Sequence, residues 1–179
     1  KIVLFTKDLS DLQTEALIVG FYEGFDINDF GVYDEISDGL VSHLIKDKEF
    51  TGKFGRIFML RLKGNIKRLV LIGLGDKTSF NESKAREVLG KAAIYLRNNS
   101  IREFSFILFE DLRPYNAAYA AVEGVKLSLY EFNGFKTTDL DDRVKIDQFS
   151  IIANANNFME IDEAIKHALI VSDAVYYVR

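Results

Sequence analysis

A chain of 179 residues, 48% hydrophobic and 28% charged, is long enough to bury about 70% of its unfolded surface, which excludes a disordered or fibrous reading. The net charge of -4 and the pI near 5.3 argue against bulk nucleic-acid binding, and the lack of cysteine excludes disulfides and thiol nucleophiles. No apolar run approaches the roughly 20 residues of a membrane span, and no signal-peptide pattern opens the chain, so the expected location is the cytoplasm.

In chain order, Ile2 to Phe5 reads as a short apolar strand, and Lys7 to Glu15 as a polar connection. Ala16 to Tyr22 reads as a second strand, followed by a turn-rich stretch from Gly24 to Asp29. Tyr33, Ile36, Leu40, Val41, Leu44 and Ile45 recur at helical spacing and predict one amphipathic helix over 33–46. Gly52 and Gly55 mark a loop. Ile57 to Leu62 is a predicted strand joined through Gly64 and Asn65 to the strand that organises the chain, which makes the two a hairpin.

That organising strand ends in Leu69-Val70-Leu71-Ile72-Gly73-Leu74-Gly75, with no polar face, as expected where both sides are covered. Ser79-Phe80-Asn81-Glu82 has the form of a capping box. The helix after it puts Ala85, Val88, Leu89, Ala92, Ala93 and Leu96 on one face and is expected to stop at Asn98-Asn99. Phe104 to Phe109 reads as a buried strand, and Tyr115 to about Glu131 as a buried helix in which Gly124 permits close approach to a neighbour. A charged loop (139–145), a last strand (Phe149 to Ala153) and a final helix from Ile161 to Tyr176 complete the chain. That helix runs to Arg179 with no stop signal, which predicts continuation into a longer protein.

Motifs that would fix a chemistry are incomplete. Gly73-Leu74-Gly75 begins a dinucleotide fingerprint, but Thr78 stands where the third glycine belongs, and Gly75-Asp76-Lys77-Thr78 lacks the order of a phosphate loop. His43 and His167 have no His or Cys at i+3 or i+4 to share a metal. The carboxylate pairs Asp141-Asp142 and Glu160 with Asp162 read as a charged loop and a helix N-terminus. From Phe50 to Gly75 the charges are all basic: Lys53, Arg56, Arg61, Lys63, Lys67 and Arg68. Such a run reads either as a soluble sheet edge protected from pairing, or as a contact with acid, whether nucleic-acid backbone or another subunit.

Three stretches together resemble the N-terminal domain of the leucyl (cytosol) aminopeptidase family. They are RLVLIGLGDK (68–77), AAVEGVKLSLYEFNGFKT (120–137) and EAIKHALIVSDAVYYVR (163–179). The resemblance implies an α/β fold, a macro-domain-like mixed sheet of about six strands with helices on both faces. It divides the chain into an N-terminal domain (1–159) and a connecting helix (160–179) toward a C-terminal catalytic domain. It further implies a full-length metallo-exopeptidase that removes N-terminal residues from peptides, assembled as a hexamer and using two divalent metal ions, zinc or manganese. The family's metal ligands and catalytic residues belong to the C-terminal domain, so no catalytic, cofactor-binding or metal residue is assigned here and this chain alone is expected to be inactive.

A more distant likeness joins DLSDLQTEALIVGFYEG (8–24) to macro domains, which bind ADP-ribose. Those domains carry an Asn-Ala-Ala-Asn segment where Val19-Gly20-Phe21-Tyr22 stands here. Uptake of ADP-ribose or a related nucleotide is therefore the alternative function.

Overall fold

Strand β4 (Arg68–Gly75) is buried along its whole length after Arg68, as its unbroken aliphatic run requires. The computed structural model describes residues 1–5, 9, 11–26, 29–130 and 144–178, with side chains in the last helix followed as far as Val175. The sequence expectations for Glu131, for 131–137 of the family-like stretch, and for the Asp141-Asp142 pair lie outside the described residues.

Six strands form one mixed sheet in the order β1-β6-β5-β2-β4-β3. Here β1 is Ile2–Phe5, β2 Leu17–Tyr22, β3 Ile57–Arg61, β5 Glu103–Ile107 and β6 Gln148–Ile152. All neighbours are parallel except β3 and β4, the expected hairpin, which run antiparallel with Arg61 opposite Arg68. β4 lies one strand in from the edge rather than at the centre, and its full burial comes from cover on both faces.

The side-chain period of two divides that cover. Val70, Ile72 and Leu74 of β4 join Ile18 of β2 in a core shared with α3 (Glu82–Asn98), α4 (Pro114–Ser128) and α5 (Phe158–Val178). Leu69 and Leu71 join Leu17, Val19 and Phe21 in a second core under α1 (Gly31–Ile36) and α2 (Leu40–Lys46). Each fully buried large side chain adds about 1.5–3 kcal/mol of transfer free energy, so the two cores together hold the sheet between its helices. All six residues expected on the inner face of α3 are buried.

Three local readings change. The single helix expected over 33–46 is two, because Asp38 and Gly39 take positive φ values of 53° and 81° and break the run. Asp34 bridges the break, its carboxylate accepting from the Ser42 N–H at 2.7 Å and the Ser42 hydroxyl at 2.6 Å. The cap of α3 is Asn81 rather than Ser79: Asn81 is fully extended and its Oδ1 accepts from the Lys84 N–H at 3.1 Å. Ser79 is taken up in a separate one-turn 3-10 helix (Lys77–Ser79) capped by Asp76. Finally, α3 stops at Asn98 as expected, but the left-handed residue beyond it is Ser100, at φ 60°.

Candidate functional site: a cleft at the sheet switch point

The chain leaves β2 across the face carrying α1 and α2 to reach β4. It then crosses the opposite face through α3 to reach β5, on the other side of β2. In open α/β sheets ligands bind where connections diverge in this way, beyond the carboxyl ends of the strands. A cleft of about 430 Å³ opens there.

Its walls are aromatic. Tyr22 meets Phe80 edge to face at 5.3 Å, and Phe80 meets Phe109 at 5.2 Å. On the α1 side Phe21 contacts Phe25 at 5.5 Å and Tyr33 at 5.8 Å between ring centroids. Its rim is acidic, with Glu23, Asp29, Glu110 and Asp111 set against the single ammonium of Lys77. Lys77 Nζ lies 2.9 Å from Asp111 Oδ1 and 5.3 Å from the centre of the Tyr22 ring. The Asp111 carboxylate raises the Lys77 pKa above its ordinary value.

Both cleft tyrosines hold their protons firmly. Burial, then the Asp111 carboxylate, raises Tyr22 well above an ordinary phenol. Burial, then the Glu110 charge, pushes Tyr33 up to about 12. Neither phenol is a base at neutral pH. Four carboxylates against one paired ammonium give a field that repels a diphosphate, and this weighs against the nucleotide reading.

The glycine turn beside the cleft is closed to phosphate for a second reason. The Thr78 N–H and hydroxyl both donate to Asp76 Oδ1, at 2.8 and 2.9 Å, so a carboxylate already occupies the place an anion would take. These bonds hold Asp76 below the usual carboxylate range. Gly73 is needed instead for packing, since a Cβ there would stand 1.9 Å from the Lys53 carbonyl oxygen.

The residues considered from sequence do not converge. His43 is exposed in the last turn of α2, and His167 Nδ1 lies 2.8 Å from the Tyr115 hydroxyl on the outer helix layer. Glu160 accepts weakly from the Tyr115 N–H at the start of α4, and Asp162 pairs with Lys166 along α5. Among the described residues no three His, Asp or Glu side chains are grouped to hold a metal ion. No helix among them is long and apolar enough to cross a membrane. The cleft residues Tyr22, Tyr33, Lys77, Glu110 and Asp111 were not singled out by sequence. Tyr22 ends a buried strand and Lys77, Glu110 and Asp111 follow two others, while Tyr33 comes from α1, and their convergence becomes readable only with the strand order.

The fold and sequence have relatives. The model of the cytosol aminopeptidase family, N-terminal domain, matches residues 18–139. Probable cytosol aminopeptidases from Geotalea uraniireducens and Alkaliphilus metalliredigens are 31% and 26% identical over 92% and 96% of this chain. Among solved structures, a tomato leucine aminopeptidase mutant superposes with a TM-score of 0.81 at 23% identity, over 98% of this chain and 36% of that one. The bottromycin maturation enzyme BotP follows at 0.64 and 14%, over 90% of this chain and 31% of its own. The chain spans about a third of the length of the curated relatives it matches, 34% and 37%. The matched span takes in β2 through α4, and with it the switch point and its cleft, so the chain belongs to the cytosol aminopeptidase family as that family's N-terminal domain.

Proposed function

We propose that this chain is the non-catalytic N-terminal domain of a metal-dependent aminopeptidase that removes N-terminal residues from peptides. In this reading it serves oligomer assembly, as part of a hexamer, and access to an active site carried elsewhere. The observation that carries it is the match of 18–139 to the family's N-terminal domain in a chain one third the length of its relatives. Residues 1–159 form the domain proper and 160–179 the connecting helix. Toward the end of that helix Ile170 and Val171 are 68% and 41% exposed, apolar contacts open to a further domain, while its inner face packs on the domain through Ile161, Ala164 and Ala168. The metal ions, zinc or manganese, belong to that further domain, and no catalytic, cofactor or metal residue is assigned to this one.

The test is a paired assay with leucyl-p-nitroanilide and manganese, with and without chelator. One sample is the 179-residue chain, and the other is the same chain joined to whatever its native reading frame encodes beyond Arg179. Chelator-sensitive activity in the longer protein alone is the expected result. Silence in both, or activity in the short chain, overturns the reading.

A further inference from the structure

The free side of β3 combines three features that the aminopeptidase reading does not use. The first is an open ladder. β3 ends the sheet, and no described strand pairs with its outer side. Leu62 donates to the Lys67 carbonyl, and Gly73 donates to the Arg56 carbonyl. Alternation from these fixed points makes Leu60–Leu69 and Phe58–Leu71 the hydrogen-bonded pairs with β4. Ile57, Met59 and Arg61 therefore turn their N–H and C=O groups away from β4, toward solvent.

The second feature is an apolar centre. Ile57, Phe58, Met59 and Leu60 are only half-buried, two against each core. A bare strand of this kind is a template for another chain.

The third is unbalanced positive charge. Arg61 stands opposite Arg68 in a non-hydrogen-bonded pair, the closer of the two antiparallel spacings. Like charges so placed are unfavourable. Lys53, Arg56 and Lys63 are exposed nearby, and no described carboxylate forms an ion pair with any of the five. Arg68 reaches only the Glu15 carbonyl, at 3.5 Å.

We propose that the outer edge of β3 is a docking site for an extended acidic peptide segment of another protein, added to the sheet as a seventh strand. Backbone bonds to Ile57, Met59 and Arg61 would hold it, and its carboxylates would neutralise Arg56, Arg61, Lys63 and Arg68. Charge selects this occupant over a second copy of the chain. Pairing β3 with its own copy would bring two sets of arginines together, whereas an acidic strand relieves the repulsion already present between Arg61 and Arg68.

The experiment is fluorescence anisotropy on the 179-residue chain, with a labelled peptide of alternating Glu and Val. Its controls are the Lys-Val analogue, and the Glu-Val peptide N-methylated at the amides that would face β3. The expected result is saturable binding of the Glu-Val peptide, with none of the Lys-Val analogue. N-methylation should weaken it about tenfold or more, as the loss of two or three backbone hydrogen bonds requires. Met59→Pro, which removes an outward N–H at an edge position where proline is tolerated, should do the same. Because the methyl groups sit on the peptide, that arm holds even if Met59→Pro fails to fold. No binding at millimolar peptide, or binding indifferent to N-methylation, overturns the proposal. So does self-association of the unliganded chain abolished by Met59→Pro, or a single-stranded oligonucleotide binding in place of the peptide.

Discussion

Gly124 of α4 lies directly against Arg86 of α3: a Cβ at position 124 would stand 2.3 Å from the Arg86 carbonyl oxygen. The contact is reciprocated by Gly90, whose added Cβ would meet the Ser128 hydroxyl at 2.2 Å. Two glycines one helix apart thus let α3 and α4 close on each other, and the Arg86 and Glu123 side chains pair beside the crossing. In an open helix Gly→Ala stabilises by about 1 kcal/mol. Here the obstacle is backbone, so Gly124→Ala should destabilise by about 1–3 kcal/mol in urea unfolding. Gly90→Ala should cost less, since the Ser128 hydroxyl can rotate away. A Gly124→Ala midpoint equal to or above that of the parent would show that the helices have room to spare.

Gly73→Ala should be the most damaging single-methyl change in the glycine turn. The added carbon would meet two backbone oxygens, of Lys53 at 1.9 Å and Gly52 at 2.7 Å, and neither can yield without moving the loop that leads into β3. A loss of more than about 3 kcal/mol, or failure to fold, is expected. Gly24→Ala, at φ 74° with nothing within 4 Å, meets only the left-handed strain of about 1–2 kcal/mol and is the control. Equal losses in the two variants would remove the close-approach argument.

These glycines mark what sequence could and could not supply. Periodicity was enough for the inner face of α3, an unbroken apolar run for the strand at 68–75, and the Gly64-Asn65 turn for the β3–β4 hairpin, because each signal lies within a few consecutive residues. Gly124 was legible as a close approach, since a glycine amid alanines on an apolar helix has few other uses. The reason for Gly73 was not, because its obstacle, Lys53, is brought there by the fold. Competition between local caps misled in the same way: Ser79 had the right spacing for α3, but Asp76 claimed it for an earlier turn. The break at Asp38-Gly39 carried a signal, an Asp-Gly pair, that helical spacing on both sides overrode. The cleft joins the ends of β2, β4 and β5 with α1, and its residues share no motif.

The break between α1 and α2 gives a cap prediction. Asp34 satisfies the Ser42 N–H and hydroxyl across eight residues, so Asp34→Ala should lower stability by about 1 kcal/mol. Asp34→Asn keeps an acceptor oxygen and should retain most of that. Thermal unfolding of both variants decides, and an Ala variant as stable as the parent would mean that the bond contributes nothing net.

Acid should loosen the entry to α3. Asp76, bonded by Thr78, is held below its ordinary pKa, as is Glu82, bonded by its own N–H and by Asn116. A depressed folded-state pKa means that the stabilisation is present above the unfolded carboxylate range, near pH 4, and disappears as pH falls through the lower folded value. The fall in urea midpoint from pH 6 to pH 3 should therefore be shallower in Asp76→Asn, which keeps an acceptor but cannot titrate. An identical slope in variant and parent would remove Asp76 from the acid response.

Alkali tests the cleft itself. Tyr33 is raised from 10.0 to about 12, first by burial against Phe21 and its neighbours and then by the Glu110 carboxylate. For a group whose folded-state pKa lies above its unfolded one, the stabilisation is complete below pH 10 and is lost as pH climbs toward about 12. Tyr33→Phe keeps the ring in place and removes the titration. Its urea midpoint should thus decline less steeply than the parent's over that interval. The ultraviolet difference between parent and variant, which isolates one phenolate among eight tyrosines, should rise late, near pH 12. Glu110→Gln should move that rise toward lower pH, because it removes the repelling charge and leaves the burial. A Tyr33 phenolate forming near pH 10 in the parent would mean that water reaches the ring freely. The cleft would then be an open groove, without the enclosed wall that lets its carboxylates repel a phosphate.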